Sequence, residues 1–346
     1  MLDSIEIAKL AGVSRGTVSK VLNNYPNISE KTRQKVLEVV KANNYIPNSN
    51  AQALAGKANS VIGIFIYEKN YEASIRVNNG KNFEYFVDFI DACMEEAFLY
   101  KHQVLVDVIE DEIGEARIEK FFKSGNIAGG IFIGLNQEST FIKKLMEKDC
   151  KIALIDYRKD LEGHKKNNTT FLINIKDYEA SYKITQKVLG TGARKILYIA
   201  GDEEKLTGVE RKRGYLQCLK DNNIAIDENL IISSNFEKAD SYVKIKEFFK
   251  NNIEIDGVIS ANDSMAYSFL DVVQELNIKE RFKDIPIWGY DNLKYSFIQG
   301  IKTVAPKFNE AAIEAIKSLI IDGYGKDSSK KIDVRLIEKL EDYLNS

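Results

Sequence analysis

The sequence predicts an α/β protein, in which a small all-α head precedes a two-lobed body of doubly wound parallel sheets. Three observations carry that reading. Residues 1–59 are basic and patterned as short helices; from residue 61 onward, apolar β-branched runs alternate with helical stretches; and those runs fall into two sets. The 346 residues are 44% apolar and 29% charged, and at roughly 100–200 residues per domain they make two or three domains. Such a balance excludes a disordered chain, a collagen-like fibre and a disulfide-stapled miniprotein.

Other classes fall away on the same evidence. No stretch approaches the roughly 18 consecutive apolar residues of a membrane span, so no membrane partner is expected. Met1–Glu6 has neither the basic nor the apolar region of a signal peptide. Cys93, Cys150 and Cys218 are widely spaced and odd in number, which fits reduced thiols and a cytoplasmic location. Two histidines, His102 and His164, are too few for a His-rich metal site. No phosphate loop, nucleophile elbow or metal constellation is present, so neither an enzyme nor a cofactor is expected. The net charge of −2 conceals an asymmetry: residues 1–59 hold eight bases against four acids, and the rest holds 41 against 47. A basic head on an acidic body suits a polyanion met by the head alone.

Within the head, Ser4–Ala11 begins with a hydroxyl cap and spaces Ile5, Ala8 and Leu10 helically, until Gly12 stops it. Ser14 opens a second helix, Arg15–Asn23. Its Val18, Val21 and Leu22 turn inward, leaving Arg15, Gly16, Thr17 and Lys20 outward. A third helix follows Ser29, with Val36, Leu37, Val39 and Val40 as its core face. Two short helices joined by a glycine turn, with a supporting third, make the helix-turn-helix plan, whose second helix enters the DNA major groove.

Ile7–Asn23, Ser29–Arg33, Asn44–Asn48 and Ala51–Lys57 together resemble, in register over nearly the whole head, the N-terminal signature of the lactose-repressor/galactose-repressor (LacI/GalR) family of bacterial transcription regulators. The resemblance implies base-reading positions at Arg15, Gly16 and Lys20. It implies phosphate contacts from Ser14, Thr17, Asn23, Ser29, Thr32 and Tyr45. It places a hinge helix over 48–59, with Leu54 as a wedge into the minor groove, and adds Ser4, Asn48, Ala51 and Lys57 to the DNA-contacting set. Two departures matter: Gly16 offers no side chain to a base, and Lys20 stands where the family usually has arginine.

In the body, strand-like runs occur at Val61–Ile66, Val104–Val108, Gly130–Ile133 and Ile152–Ile155. A second set is expected at Phe171–Asn174, Ile196–Ala200, Gly257–Ser260 and Ile285–Gly289. Helical stretches between them include Phe86–Lys101, Ser181–Leu189, Val209–Asp221, Ser264–Leu276 and Glu310–Ile321. Continuous apolar strands, each followed by a helix, mean parallel sheets covered on both faces, with ligands bound at the carboxyl ends of the strands. The default site is therefore a cleft between two lobes.

The body is similar to the same family's periplasmic-binding-protein-like effector domain. The similarity rests on Ile155–Arg158, Gly192–Ile196, Glu210–Tyr215, Ala261–Ala266, Trp288–Asn292 and Thr303–Val304. It implies a cleft lined by Tyr85, Phe86 and Asp156 on one side and by Lys205, Thr207, Arg211, Phe236 and Asp263 on the other. On the residues alone the plainer readings are a helix cap for Asp263, a surface ion pair for Arg211 and core for Phe236. Residues 67–81 form an unusually long loop after the first strand, suited to a lid or partner surface, and Asn174–Lys176 lacks the family's acid.

The expected domains are a helix-turn-helix unit over 1–47, the hinge over 48–59 and the body over 60–346. The N-lobe is expected from 60–157 and 290–320, the C-lobe from 158–289 and 321–346. The expected function is a DNA-binding repressor on a near-palindromic operator, controlled by a small-molecule effector of the carbohydrate class. Ile332–Ser346 is too short for a terminal heptad, so a homodimer is expected. Control by a protein partner or a nucleoside-type ligand is the alternative.

Overall fold

The computed structural model describes residues 4–22, 25–43, 61–68, 84–157, 169–321, 323–324 and 329–344. The chain divides into two compact units, Met1–Ser60 with Lys120–Ala128, and Val61–Glu119 with Gly129–Ser346. Residues 44–60, which hold the expected hinge helix, and most of the long loop lie outside the described residues. None of the described helices is long and apolar enough to cross a membrane.

The head is three helices, α1 (Ser4–Ala11), α2 (Arg15–Leu22) and α3 (Glu30–Ala42). Gly12, at φ +59°, ends α1 in a left-handed turn that an L side chain would strain. The Gly12 N–H donates to Lys9 O and the Val13 N–H to Ala8 O, which satisfies two of the last carbonyls of α1. Ser14 and Ser29 accept from Thr17 N (3.1 Å) and Thr32 N (3.3 Å), so hydroxyls cap both α2 and α3. The core is Ile7, Ala8, Ala11, Val18, Val21 and Val36. Two expectations shift here: Ile5 and Leu10 stay exposed on α1, as does Leu37 on α3. The inward stripe of α1 runs through Ile7, Ala8 and Ala11, one helical step away from the expected one.

In the body, the first sheet has strand order β11-β5-β4-β3-β1-β2, all parallel. Its strands are β1 (Val61–Tyr67), β2 (Gln103–Ile109), β3 (Gly129–Ile133), β4 (Ile152–Ile155), β5 (Thr170–Ile175) and β11 (Ser329–Ile332). Helices α4 (Glu84–Leu99), α5 (Glu112–Lys123) and α6 (Thr140–Glu147) connect the first four strands. Ile62, Ile64 and Ile66 of β1 pack with Phe89 of α4 on one face. Phe65 meets Phe132 (5.0 Å between centroids) on the other, as a strand's alternation requires.

The second sheet is parallel in the order β7-β6-β8-β9, namely β7 (Ile231–Ser233), β6 (Ile196–Ala200), β8 (Gly257–Ser260) and β9 (Ile287–Trp288). Around it lie α7 (Asp177–Gly190), α8 (Leu206–Asp221), α9 (Lys238–Lys250) and α10 (Asp263–Glu275). Leu197 and Ile199 face the cluster holding Met265 and Phe269, while Ile196, Tyr198 and Ala200 face the cluster holding Ile184 and Tyr215. The chain then forms the antiparallel pair β10 (Thr303–Pro306) and β12 (Val334–Ile337), with α11 (Phe308–Ile320) between β10 and β11.

The expected lobe boundary is corrected by this pairing. β5 and β11 hydrogen-bond into the first sheet, so the first lobe takes 170–175 and 329–332, and the second lobe's elements begin with α7. Apolarity marked Phe171–Asn174 as a strand, but the partner of a strand is a long-range property that its own composition does not carry.

Candidate functional site

On α2 of the head, Arg15, Gly16, Ser19 and Lys20 are exposed while Val18 and Val21 are buried. The expected base-reading positions therefore share the solvent face. Arg15 Nε donates to Ser4 Oγ (3.0 Å), which fixes the start of its side chain against α1. Ser14, Thr17, Ser29 and Thr32 are occupied as capping pairs at the starts of α2 and α3, where free backbone N–H groups favour an anion. Asn23, Tyr45, Asn48, Ala51, Leu54 and Lys57 lie outside the described residues, as does the side chain of Tyr85.

The two parallel sheets of the body put their strand ends at one cleft. From the first lobe come Glu68 after β1, Ile133–Leu135 at the end of β3, Asp156 after β4, and Phe86 from α4. From the second come Lys205, Thr207 and Arg211 at the start of α8; Asn235–Glu237 between β7 and α9; Asn262 and Ser264 after β8; and Asp291 and Leu293 after β9. Hydrogen bonds join the lobes beside it: Gln137 N donates to Glu204 O (3.0 Å) and Asn136 Nδ2 to Glu204 Oε2 (2.7 Å).

Backbone strain collects at this cleft. Asp156 (φ +51°), Phe236 (φ +63°) and Asp291 (φ +96°) all sit in the left-handed region, which costs about 1–3 kcal/mol each and persists only where surroundings enforce it. Phe236 shows how: its ring covers the Cα of Gly201, where a Cβ would stand 2.1 Å from the ring. Its carbonyl accepts from Asn262 Nδ2 at 3.1 Å, while Asn262 Oδ1 caps α10 by accepting from Met265 N at 2.8 Å. One asparagine thus ties the aromatic wall to a helix.

Arg211 is the centre of the second lobe's charge network, and its side chain is 2% exposed. Nε donates to Asp177 Oδ1 (2.8 Å), Nη1 to Ala261 O (2.5 Å), and Asp291 Oδ1 lies 3.4 Å from Nη1. The guanidinium stacks 4.0 Å over the Tyr290 ring. The Thr207 side chain, one turn before Arg211, favours the ionised forms of Asp156 and Asp177. Asp156 also accepts from Ile175 N at 2.7 Å.

Three carboxylates thus share one guanidinium in a desolvated space. Burial, reinforced by Asp177, pushes Asp156 up to about 7 against the pull of Arg211. Burial likewise raises Asp291 to about 6 and lifts Asp177 above its ordinary range. These groups hold protons in the fold that they release near pH 4 when unfolded. Their contribution to stability is therefore full below about pH 4 and is lost as pH rises towards about 7. Melting the ligand-free chain at pH 5, 6, 7 and 8 should show a temperature that falls through this series; a rising curve contradicts the assignment.

Phe86, Asp156, Lys205, Thr207, Arg211 and Phe236 of the expected set meet in the cleft. Asp263 does not. It is fully buried beside the cleft and accepts from Leu293 N (2.8 Å), Ser296 Oγ (2.7 Å) and Thr303 Oγ1 (2.8 Å). At the first turn of α10, Asn262 and Ser264 reach the cleft while Asp263 between them turns inward. Glu68, Asn262, Glu237 and Asp291 were not anticipated. Each follows a parallel strand at its carboxyl end, and that rule applied at every strand would have found them.

Comparison with known proteins agrees with this architecture. Residues 5–48 match the model of bacterial regulatory proteins of the lacI family, and residues 185–338 that of a periplasmic binding protein-like domain. The HTH-type transcriptional regulator MalR of Clostridium butyricum is 26% identical over 96% of this chain and 97% of its own length. The crystal structure of the lac repressor dimer bound to operator and the anti-inducer ONPF superposes with a TM-score of 0.75 at 20% identity, over 97% of both chains. A transcriptional regulator CelR–cellobiose complex superposes with a TM-score of 0.69 at 20% identity, over 97% of this chain and 98% of that one. The chain thus carries a lacI-family helix-turn-helix domain and a periplasmic-binding-protein-like domain, and the relatives aligned along nearly its full length are transcriptional regulators.

Proposed function

We propose that the chain is a repressor whose head (residues 1–47) and hinge (48–59) grip a near-palindromic operator, and whose grip is set by a sugar or sugar derivative in the inter-lobe cleft. The observation that carries this reading is the cleft itself. Aromatic Phe86 and Phe236 stand with buried Arg211, Asp156, Asn262 and Asp291 at the strand ends of both lobes. Apolar faces with charged hydrogen-bonding rims suit a sugar ring, whose own faces are apolar and whose edge carries hydroxyls. One similar structure, the CelR complex with cellobiose, supports a carbohydrate.

Dimerisation follows from a symmetric operator. A fitting surface exists on α4, where Val87, Met94 and Phe98 form an exposed apolar stripe. A ligand that prefers the closed lobes changes operator affinity only by its differential affinity for the two arrangements. The test is operator affinity by fluorescence anisotropy, on a duplex selected from random DNA, with and without mono- and disaccharides. One sugar should change the affinity by about tenfold or more, within the usual range of coupling energies. Indifference to every sugar overturns the effector class.

A further inference from the structure

We propose that the ligand of this cleft carries a cationic amino group, with Asp291 as its counter-ion. The inference rests on the cleft being the effector site and narrows the sugar reading to an amino sugar.

The charges around the cleft do not balance. Four carboxylates line it, Glu68, Asp156, Glu237 and Asp291, against the two cations Lys205 and Arg211. Arg211 gives Nε to a fifth carboxylate, Asp177, which lies behind the lining, and gives Nη1 to the Ala261 carbonyl. Burial raises the Glu68 carboxyl above its ordinary range, with Lys205 drawing it back towards ionisation and Glu237 and Asp202 opposing that pull. Both cations thus already face carboxylates, although Arg211 Nη2 is buried without a hydrogen-bond partner and leaves a donor for a hydroxyl of the guest.

Asp291 carries the argument further. Its side chain is nine-tenths buried and lines the cleft, and among the described residues its side chain has one recorded contact, the 3.4 Å approach to Arg211. That is longer than the 2.7–2.9 Å of a strong charge-assisted bond. Asp156, by contrast, accepts a backbone N–H at 2.7 Å, and Asp177 a guanidinium N–H at 2.8 Å. Among the buried carboxylates, Asp291 is therefore the one left to a guest. A neutral polyol would supply hydrogen bonds but no charge, and an acidic sugar would deepen the imbalance. An ammonium group supplies both the donor and the charge, and Phe86 and Phe236 add aromatic faces that attract a cation.

Matched probes test this on the full chain by melting-temperature shift and titration calorimetry at pH 7.5. The panel is glucosamine, glucose and glucuronic acid; galactosamine, galactose and galacturonic acid; and putrescine with 1,4-butanediol. An amino sugar should bind at least about tenfold tighter than its hydroxyl counterpart, the scale of one hydrogen bond to a charged group. Asp291→Asn should erase that preference. Should Asp291→Asn fold poorly, Glu68→Gln, at the other acid-rich end of the lining, should reduce it. Binding of putrescine without any sugar would uphold the amine and overturn the sugar. Neutral or acidic sugars binding as tightly as the amino sugar would overturn the amine and leave the sugar standing. No binding across the panel would overturn both.

Discussion

Arg211→Ala should destabilise the body by about 3–5 kcal/mol at pH 8, the usual cost of removing one partner from a buried ion pair. The reason is what the arginine leaves behind. Asp177 loses its 2.8 Å donor, Asp291 loses its 3.4 Å neighbour, and Asp156 loses the positive charge that opposes its burial. The Ala261 carbonyl and the face of Tyr290 lose their contacts as well. A neutral side chain cannot repair this, because the three carboxylates stay desolvated. The pH dependence separates this cause from simple loss of packing. Protonation relieves orphaned carboxylates, so the gap between variant and wild type should narrow as pH falls from 8 to 5. Urea unfolding across that range measures it. Equal stability at every pH would mean that Arg211 serves the ligand alone; a constant gap would point to packing.

The same network explains what the sequence made legible. Arg211, Thr207 and Lys205 came from the family resemblance, and they lie together because α8 follows directly on β6 and helix spacing puts 207 and 211 on one face. Asp263 was misplaced by one residue. Asn262 and Asp263 are adjacent polar residues at a helix start, and only the position of Ser296 and Thr303 decides which one turns inward. Those donors lie 33 and 40 residues away in the chain, beyond local pattern.

Strand recognition divided along similar lines. β3, β4, β6 and β8 are buried along their whole length and read as continuous apolar runs. β11 is Ser-Lys-Lys-Ile with three exposed residues at a sheet edge, and β7 has three residues, so neither carries enough apolar signal to stand out. The membership of β5 in the first sheet was hidden for another reason. Its composition is the same whichever lobe it joins, and pairing with β4 decides the matter.

Removing residues 1–57 should abolish operator binding while the body keeps its melting temperature. The body has its own cores, around Phe89 and Ile316 in one lobe and around Phe269 and Tyr215 in the other, whereas Ile7, Val18 and Val36 form a separate core in the head. The removed segment also carries the basic surplus, eight Lys and Arg against four acids. Phosphate contacts supply the salt-dependent part of DNA affinity, so the intact chain should lose affinity steeply with salt, and the truncated chain should show no slope to lose. A finer arm separates reading from gripping. Arg15 and Lys20 stand on the exposed face of α2, and each base contact is worth about 1–3 kcal/mol of discrimination. Arg15→Ala with Lys20→Ala should therefore cost about a hundredfold or more on the selected operator, and much less on random duplex. The capped starts of α2 and α3, which would meet phosphates, remain intact in that variant. Measuring both affinities at one salt concentration decides the matter: equal losses on operator and random DNA would make Arg15 and Lys20 general phosphate ligands, and operator binding by the truncated chain would remove the head from DNA recognition altogether.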